Sequence, residues 1–432
     1  MASTGKSKND KAWERLFDEY NILEQINRKG QFIINSAQIN EVRESRLMAK
    51  FDQSVNLPQI FRNNRLSILP VSRSKYILAP IDTHQLVTYD TNLEIVSIPF
   101  PAHIESIDYS NLYSEAVALN CAFIAKIIDD LLEEETIHTI SGRMSTESFS
   151  FSINSTDRNQ SSYRIDVDHS QCEIDGGFEG RTHFALIEAK SYTVDDFLIR
   201  QLYYPYRLWS GKLRKKIVPI LMIFSQDVFH FFIYEFTDET QYSSLRLVQQ
   251  RRYAIAPEEI TRSDVNVLLS QIKSVPEPTG IPFPQADRFD RVVDLLTLLA
   301  VRDLTKDDIT ANYQFDIRQT NYYTDAGRYL GLIRKFTDPD TGEVTFTLTD
   351  EARLLLRQRH KQKYLDLIRK IFEHVVYNRT FRLALGMGRI PTEDEISQVI
   401  IDSQINIGGA TVGRRSRTVR SWIKWIWEQI ED

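Results

Sequence analysis

Between Asp175 and Lys190 the chain sets two acids and a lysine at a spacing that could do phosphate chemistry. Glu188 and Lys190 close an apolar run, HFALIEAK, that reads as a strand. Strand alternation puts Glu188 and Lys190 on one face and Ile187 and Ala189 on the other. Asp175 ends the preceding strand-like run and is followed by Gly176 and Gly177, which suit a tight turn or a close backbone approach. If the two runs pair antiparallel, Asp175 and Glu188 come close enough to share a divalent cation. Two carboxylates and a lysine at a sheet end are costly unless something neutralises them. A hard cation such as Mg²⁺ does so and keeps water ligands that can attack phosphorus. An isolated Glu-x-Lys on a strand is more often a surface ion pair of little worth. The preceding aspartate, the glycines, the buried-type strand and a downstream helix with Gln201 favour the metal reading. The sequence leaves the register free, so Asp166, Asp168, Glu173 and Glu179 compete with Asp175 for the first acid.

This arrangement resembles the PD-(D/E)xK nuclease superfamily, whose motif is an acid, a spacer and then Asp/Glu-x-Lys. Asp175 matches the first acid, Glu188 the second and Lys190 the lysine, with twelve residues between the acids. Ile174 stands where the motif has proline. The resemblance implies that Asp175, Glu188 and the main-chain carbonyl of Ala189 bind Mg²⁺, and that Lys190 orients the attacking water and offsets charge developing at the phosphate. It also implies an acid from an upstream helix, matched by Glu115, which would hold the metal through water. Arg200 or Gln201 would position the scissile phosphate, and either Tyr204 or Tyr206 would be the accompanying tyrosine.

The elements needed to carry this site follow in order. Ala12 to Asn27 has Trp13, Leu16, Phe17, Tyr20 and Leu23 at helical spacing, and Ser36 is placed to cap a helix running to Lys50. A helix is expected from Tyr113 to Glu134. A strand FSFSI, a hairpin-like pair (YRIDVDHSQCEIDGGFE and HFALIEAK), a helix DDFLIRQLYYPYRLW and two apolar strands, KIVPILMIF and VFHFFIYEF, come next. The expected fold is mixed α/β, with a restriction endonuclease-like αβββαβ core, a helical N-terminal region and a C-terminal tandem of helix-turn-helix units. Ser274 to Arg288 holds four prolines and reads as a linker. The expected partition is an N-terminal recognition region over 1–100, a nuclease domain over 101–273, the linker over 274–288, a winged helix-turn-helix over 289–362 and a second such unit over 363–432.

In the winged unit, three helical runs precede two β-rich runs around a DPDTGE turn, with Thr349 placed to cap the next helix. Its natural recognition helix begins with Arg318, Gln319 and Asn321, where base-edge contacts are usual. From Ser403 to Trp427 there are five basic residues, Arg414, Arg415, Arg417, Arg420 and Lys424, and no acid, with Gly408, Gly409 and Gly413 leading in. Trp422, Trp425 and Trp427 are expected in the core. Lys212, Arg214 and Lys215 follow the Gln201 helix and could line a DNA cleft. Arg43, Arg46 and Lys50 give the N-terminal region a basic surface, and its wording resembles the N-terminal part of predicted type II restriction endonucleases.

Composition sets the outer limits. Hydrophobic residues make up 42% of the 432 and charged residues 26%, which excludes collagen, a mainly disordered chain and a disulfide scaffold. No run of eighteen apolar residues occurs, so no membrane span is expected, and the polar first ten residues are unlike a secretory signal. Two cysteines, Cys121 and Cys172, fit a reducing cytoplasm. Thr4-Gly5-Lys6-Ser7 lacks the earlier glycine and strand of a P-loop, and the histidines have no metal-ligand spacing. The net charge of −6 argues weakly against a polyanion partner when taken alone, but the basic residues are regional. The resulting expectation is a cytoplasmic Mg²⁺-dependent, sequence-specific endonuclease of double-stranded DNA, acting as a homodimer with a cognate methyltransferase as genetic partner. The alternatives are a structure-specific repair or recombination nuclease of the same superfamily, and a non-catalytic DNA-binding regulator.

Overall fold

The apolar runs that flank the Glu188–Lys190 pair assemble into one sheet. A computed structural model describes residues 6–157, 160–255, 258–312, 317–339, 341–405 and 411–431. Its centre is built from β1 (Ile95–Ile98), α1 (Glu115–Ile124), α2 (Ile127–Leu132), β2 (Ile137–Ser145), β3 (Gln171–Glu179), β4 (His183–Lys190), α3 (Arg200–Ser210), β5 (Lys216–Ser225), β6 (Val228–Phe236) and β7 (Leu245–Ile255). The seven strands lie in the order β1-β7-β6-β5-β4-β3-β2. β4 pairs parallel to β5 through the α3 crossover and antiparallel to β3, which pairs antiparallel to β2.

Alternation along β4 and β5 separates two cores. Ala185, Ile187, Ala189, Ile220 and Met222 pack with Leu119 and Ile128 of α1 and α2. Leu221 and Ile223 face the other way, toward Leu202 and Tyr203 of α3. The result is a mixed α/β fold with helices on both sheet faces. The turn between β3 and β4 is pinned by Glu134, whose carboxylate accepts from the N–H groups of Arg181 (2.7 Å), Thr182 (3.1 Å) and His183 (2.9 Å). A Cβ on Gly180 would collide with the Glu134 carboxyl group, so the clamp needs glycine there.

Several expected elements are broken by a single left-handed residue. The helix expected from Tyr113 to Glu134 is α1 and α2, divided at Lys126 (φ 64°). The Ala12–Asn27 helix is Lys8–Glu19 and Ile22–Lys29, divided at Asn21 (φ 48°). The Ser36–Lys50 helix is the short pair Ser36–Asn40 and Ser45–Met48, and its cap is Asn35, which accepts from Gln38 N–H. The run YRIDVDHSQCEIDGGFE is two strands, Ser162–Val167 and β3, with His169 at φ 49° between them. The run beginning at Asp195 opens as a strand, Asp196–Leu198, before α3 starts at Arg200.

The C-terminal region is helical around a small sheet. It comprises α4 (Phe289–Val301), α5 (Lys306–Asn312), α6 (Ile317–Tyr329), β8 (Ile333–Thr337), β9 (Val344–Leu348), α7 (His360–Phe372) and α8 (Val412–Glu428), among others. β9 lies between β8 and the two-residue strand Leu304–Thr305. The proline-rich segment lies along these helices. Val275 N–H donates to Glu373 O (2.9 Å), Phe283 stacks on Tyr377, and Trp422 Nε1 donates to Ala286 O (2.8 Å). One continuous apolar cluster runs from Ile223 of the sheet through Phe289 to Trp422 and Ile426. Trp425 shares that core, while Trp427 packs at its margin. Among the described residues no helix is long and apolar enough to cross a membrane.

Candidate active site

β3 and β4 pair with Gly176 opposite Ile187 and Gly177 opposite Leu186. The pairing ends there, and Asp175 is the next residue along β3. Ala189 N–H donates to Asp175 Oδ2 (2.8 Å), which fixes the first acid across the strand gap. Lys190 Nζ donates to Glu188 Oε1 (2.7 Å), and Gln201 Nε2, in the first turn of α3, donates to the same oxygen. The two glycines continue the strand, so the tight-turn option fails and close approach is what they provide. A Cβ on Gly176 would lie 2.8 Å from Leu119 Cδ2, so the missing side chain lets α1 pack against the strand beside Asp175. Glu115 opens α1, behind the Ser114 cap, and its charge acts on Lys190 and Glu188.

Two further groups come from elsewhere in the chain. Asp52 Oδ2 lies 4.0 Å from Lys190 Nζ and 3.5 Å from Lys50 Nζ. Tyr192, two residues beyond the lysine, is also close; its hydroxyl accepts from Gln53 Nε2 (3.2 Å). Asp52 had no sequence signal, because long-range bonds bring it to the site, among them Leu198 N–H to Asp52 O (2.9 Å). The helix tyrosines lie elsewhere: Tyr204 donates to Pro70 O (2.8 Å), and Tyr206 packs on Phe236.

Burial and like charge govern the electrostatics. Glu188 is 7% exposed and Lys190 5%. Burial pushes the Glu188 carboxyl up, Lys190 opposes this and Asp175 adds to it, leaving it at about 7. Burial also raises Asp175 and Glu115 above their ordinary values, against the pull of Lys190. Asp52 is lowered because Lys190, Lys50 and Arg200 outweigh its burial. Lys190 stays charged, since Glu188, Asp52 and Glu115 outweigh its own burial. Two buried oxygens in the cluster, Asp52 Oδ1 and Gln201 Oε1, have no hydrogen-bond partner.

Among the described residues, no three His, Cys, Asp or Glu side chains already form a metal-holding group. The donors present are hard oxygens: one carboxylate from each strand, Asp175 and Glu188, and the main-chain carbonyl of Ala189, the residue between Glu188 and Lys190. That set fits an ion that takes one or two protein carboxylates and keeps its waters, which is the habit of Mg²⁺ rather than Zn²⁺. The competing acids are engaged elsewhere. Asp166 accepts from Ser150 (2.5 Å), Asp168 from Ser148 (2.5 Å), Glu173 pairs with Arg143 (3.4 Å) and Glu179 with Lys215 (2.5 Å).

The basic residues divide into engaged and outward-facing groups. Arg43 is half-buried, bound to Asn9 (2.7 Å) and to Asp307 of α5 (3.0 Å), so it joins the N-terminal region to the C-terminal one. Arg46 is exposed beside Glu44 (3.3 Å), and Lys50 turns to Asp52. Lys212 pairs with Glu147 (3.0 Å), and Arg214 is exposed. Arg318, Gln319 and Asn321 lie in the first turn and a half of α6. Arg414 and Arg415 open α8, with Arg414 exposed and Arg415 half-buried. Arg417 pairs with Glu393 (3.1 Å), and Arg420 donates to Pro391 O (3.2 Å). Gly408 and Gly409 lie outside the described residues.

Three family models match the chain in succession, each described as a domain of unknown function: DUF6996 over residues 10–78, DUF6997 over 79–254 and DUF7226 over 291–431. The middle span holds Glu115, Asp175, Glu188, Lys190 and Gln201, and the first holds Asp52. Comparison with curated proteins and with solved structures finds no match.

Proposed function

We propose that the chain is a Mg²⁺-dependent endonuclease of double-stranded DNA, of the type II restriction kind, built on a PD-(D/E)xK core. One observation carries this reading. Asp175 on β3 is fixed by the Ala189–Asp175 hydrogen bond to the main chain between Glu188 and Lys190 on the neighbouring β4, with α3 carrying Gln201 and then β5 beyond. An ordinary surface Glu-x-Lys pair is exposed and balanced; this one is buried and has an excess of acid.

Mg²⁺ held by Asp175, Glu188 and the Ala189 carbonyl would supply a water of lowered pKa and a Lewis acid for a phosphate oxygen. The chain's own groups do the rest. Gln201 fixes the Glu188 carboxylate, and Ala189 N–H fixes that of Asp175. Lys190 keeps a full positive charge where the phosphorane carries its extra negative charge. Arg200, with a buried Nε lacking a partner, stands one residue from Gln201 and can meet the scissile phosphate. Water oxygen bonds to phosphorus, the bond to O3′ breaks, and the products are a 5′-phosphate and a 3′-hydroxyl whose proton comes from solvent. The starts of α6 and α8, with Arg318, Arg414 and Arg415, are the cationic elements that duplex DNA would meet. Cutting both strands calls for two such sites, hence a homodimer on DNA, and host DNA would need a partner methyltransferase.

Digestion of methylated and unmethylated plasmid with Mg²⁺ tests this reading. Discrete fragments that vanish with Asp175→Ala or Lys190→Ala, while DNA binding persists, are the expected result. Cutting confined to branched or single-stranded DNA would make it a structure-specific nuclease instead. Tight binding with uncut DNA in wild type and variants alike would leave a regulator and end the enzyme reading.

A further inference from the structure

We propose that Asp52 is the positioning residue for Lys190, so that the N-terminal region completes the active site; this rests on the nuclease reading above. Lys190 has two carboxylate partners of different origin. Glu188, on its own strand, lies at 2.7 Å, and Asp52, from 138 residues upstream, lies at 4.0 Å. Glu188 Oε1 is already shared between Lys190 and Gln201, and a cation on the same carboxylate would draw its charge away from the lysine. Asp52 carries no such conflict, because its Oδ1 is buried and without a partner and its other neighbour is Lys50 on the surface. It is the group left to hold the ammonium in place.

The segment around Asp52 is fastened as such a role requires. His84 Nε2 meets Phe51 O (2.9 Å), Leu198 N–H donates to Asp52 O (2.9 Å), and Gln53 Nε2 reaches Tyr192 (3.2 Å). Ser54 N–H donates to Asp196 Oδ1 (3.0 Å), and its hydroxyl bonds the other oxygen. Gln53 is 1% exposed, so this polar chain is internal. Its far end leaves the site for the C-terminal region: Asn56 Nδ2 donates to Thr310 O of α5 (2.8 Å). A strap of five residues therefore joins the helix beside the recognition helix to the lysine.

The test uses the full-length protein, its plasmid substrate and Mg²⁺. Asp52→Asn keeps the shape and removes the charge, whereas Asp52→Glu keeps the charge. The asparagine variant is expected to lose about tenfold or more in single-turnover cleavage with DNA affinity and Tm unchanged, and the glutamate variant to recover much of it. In a crystal structure of metal-free Asp52→Asn, Lys190 Nζ should move by roughly 1 Å, enough to matter for catalysis. Cleavage by Asp52→Asn within about twofold of wild type overturns the proposal, as does an equal loss in both variants. Failure of both variants to fold makes Asp52 a structural residue and overturns it too. If wild type cuts no DNA, the nuclease reading fails; the Lys190 displacement, read without metal or DNA, then decides the positioning, and an unmoved ammonium refutes it.

Discussion

Lys190 and Lys363 are both buried against carboxylates, and they are built to opposite plans. Lys363, on α7, is 6% exposed and meets Asp227 at 2.7 Å, with His360 on the same carboxylate at 2.9 Å. Asp227 sits in the β5–β6 turn, so this cluster pins a C-terminal helix to the central sheet. One acid has two basic partners, and Lys363 then His360 outweigh burial to hold its carboxyl below the ordinary 3.8. Lys190 is as deeply buried but lies among four acids, Asp52, Glu115, Asp175 and Glu188, and Glu188 is pushed up to about 7. A balanced cluster holds an interface together. An unbalanced one stores electrostatic cost that a substrate or cation can relieve, which is the usual mark of a working site.

The comparison breaks first at activity. Lys190→Ala and Asp175→Ala should each lower DNA cleavage by about a thousandfold or more, the first by removing the charge proposed to face the phosphate and the second by removing a carboxylate proposed to hold Mg²⁺. Single-turnover assays at saturating Mg²⁺ would measure it, and a loss under about tenfold would place the chemistry elsewhere. Lys363→Ala should do the reverse. It strands the Asp227 carboxylate in a buried contact, so unfolding in denaturant should show a loss of about 3–5 kcal/mol. Cleavage per folded molecule should stay near that of wild type.

The shared face of Glu188 and Lys190 was legible because its information is local. Period two along HFALIEAK fixes the faces of Glu188 and Lys190, and the fourteen-residue neighbourhood back to Asp175 needs only one hairpin. The strand Ile137–Ser145 was missed, and FSFSI, expected in the core, pairs instead with Ser162–Val167 in a separate two-stranded sheet. The Thr349 cap, which accepts from Ala352 N–H, was legible because a cap is local. Asp52 was not, since long-range bonds such as Leu198 N–H to Asp52 O bring it in; Tyr192, only two residues beyond the lysine, is tied to the same segment through Gln53. Helix breaks at Lys126 and Asn21 were missed because neither residue type announces a left-handed backbone as glycine does. Arg43 looked like a phosphate contact, but its partner Asp307 lies 264 residues away. Tertiary pairing of that kind has no signature in a single sequence.

A third buried acid sharpens the contrast through pH. Asp294 of α4 accepts from Thr193 N–H (2.9 Å) and Ser225 Oγ (2.7 Å), with only neutral donors on its carboxylate. Burial raises it from 3.8 to about 6, and the Thr193 N–H only partly offsets this. A raised folded value means that its contribution to stability is present below pH 3.8 and is lost as pH rises through about 6. Asp227, lowered in the fold, has the opposite sign: its contribution is present above 3.8 and is lost as pH falls through its folded value. Asp294→Asn should therefore flatten the stability curve between pH 4 and 6, removing a slope of at most about 1.4 kcal/mol per pH unit. Denaturant titrations across that range read the slope directly, and an unchanged slope would mean that Asp294 is charged in the fold.

The smallest effect expected separates the two lysine clusters by sign. Glu188→Gln keeps an oxygen to accept from Lys190 and Gln201 but removes one of the four negative charges around the ammonium. Because the cluster holds more acid than its cations balance, metal-free protein at pH 8 should gain about 1 kcal/mol of stability while cleavage is lost. The matching change at the other lysine, Asp227→Asn, should cost stability instead, since there the acid is the minority charge. If both substitutions destabilise, the Lys190 cluster is a balanced structural pair after all, and the excess of acid that distinguishes it has no energetic consequence.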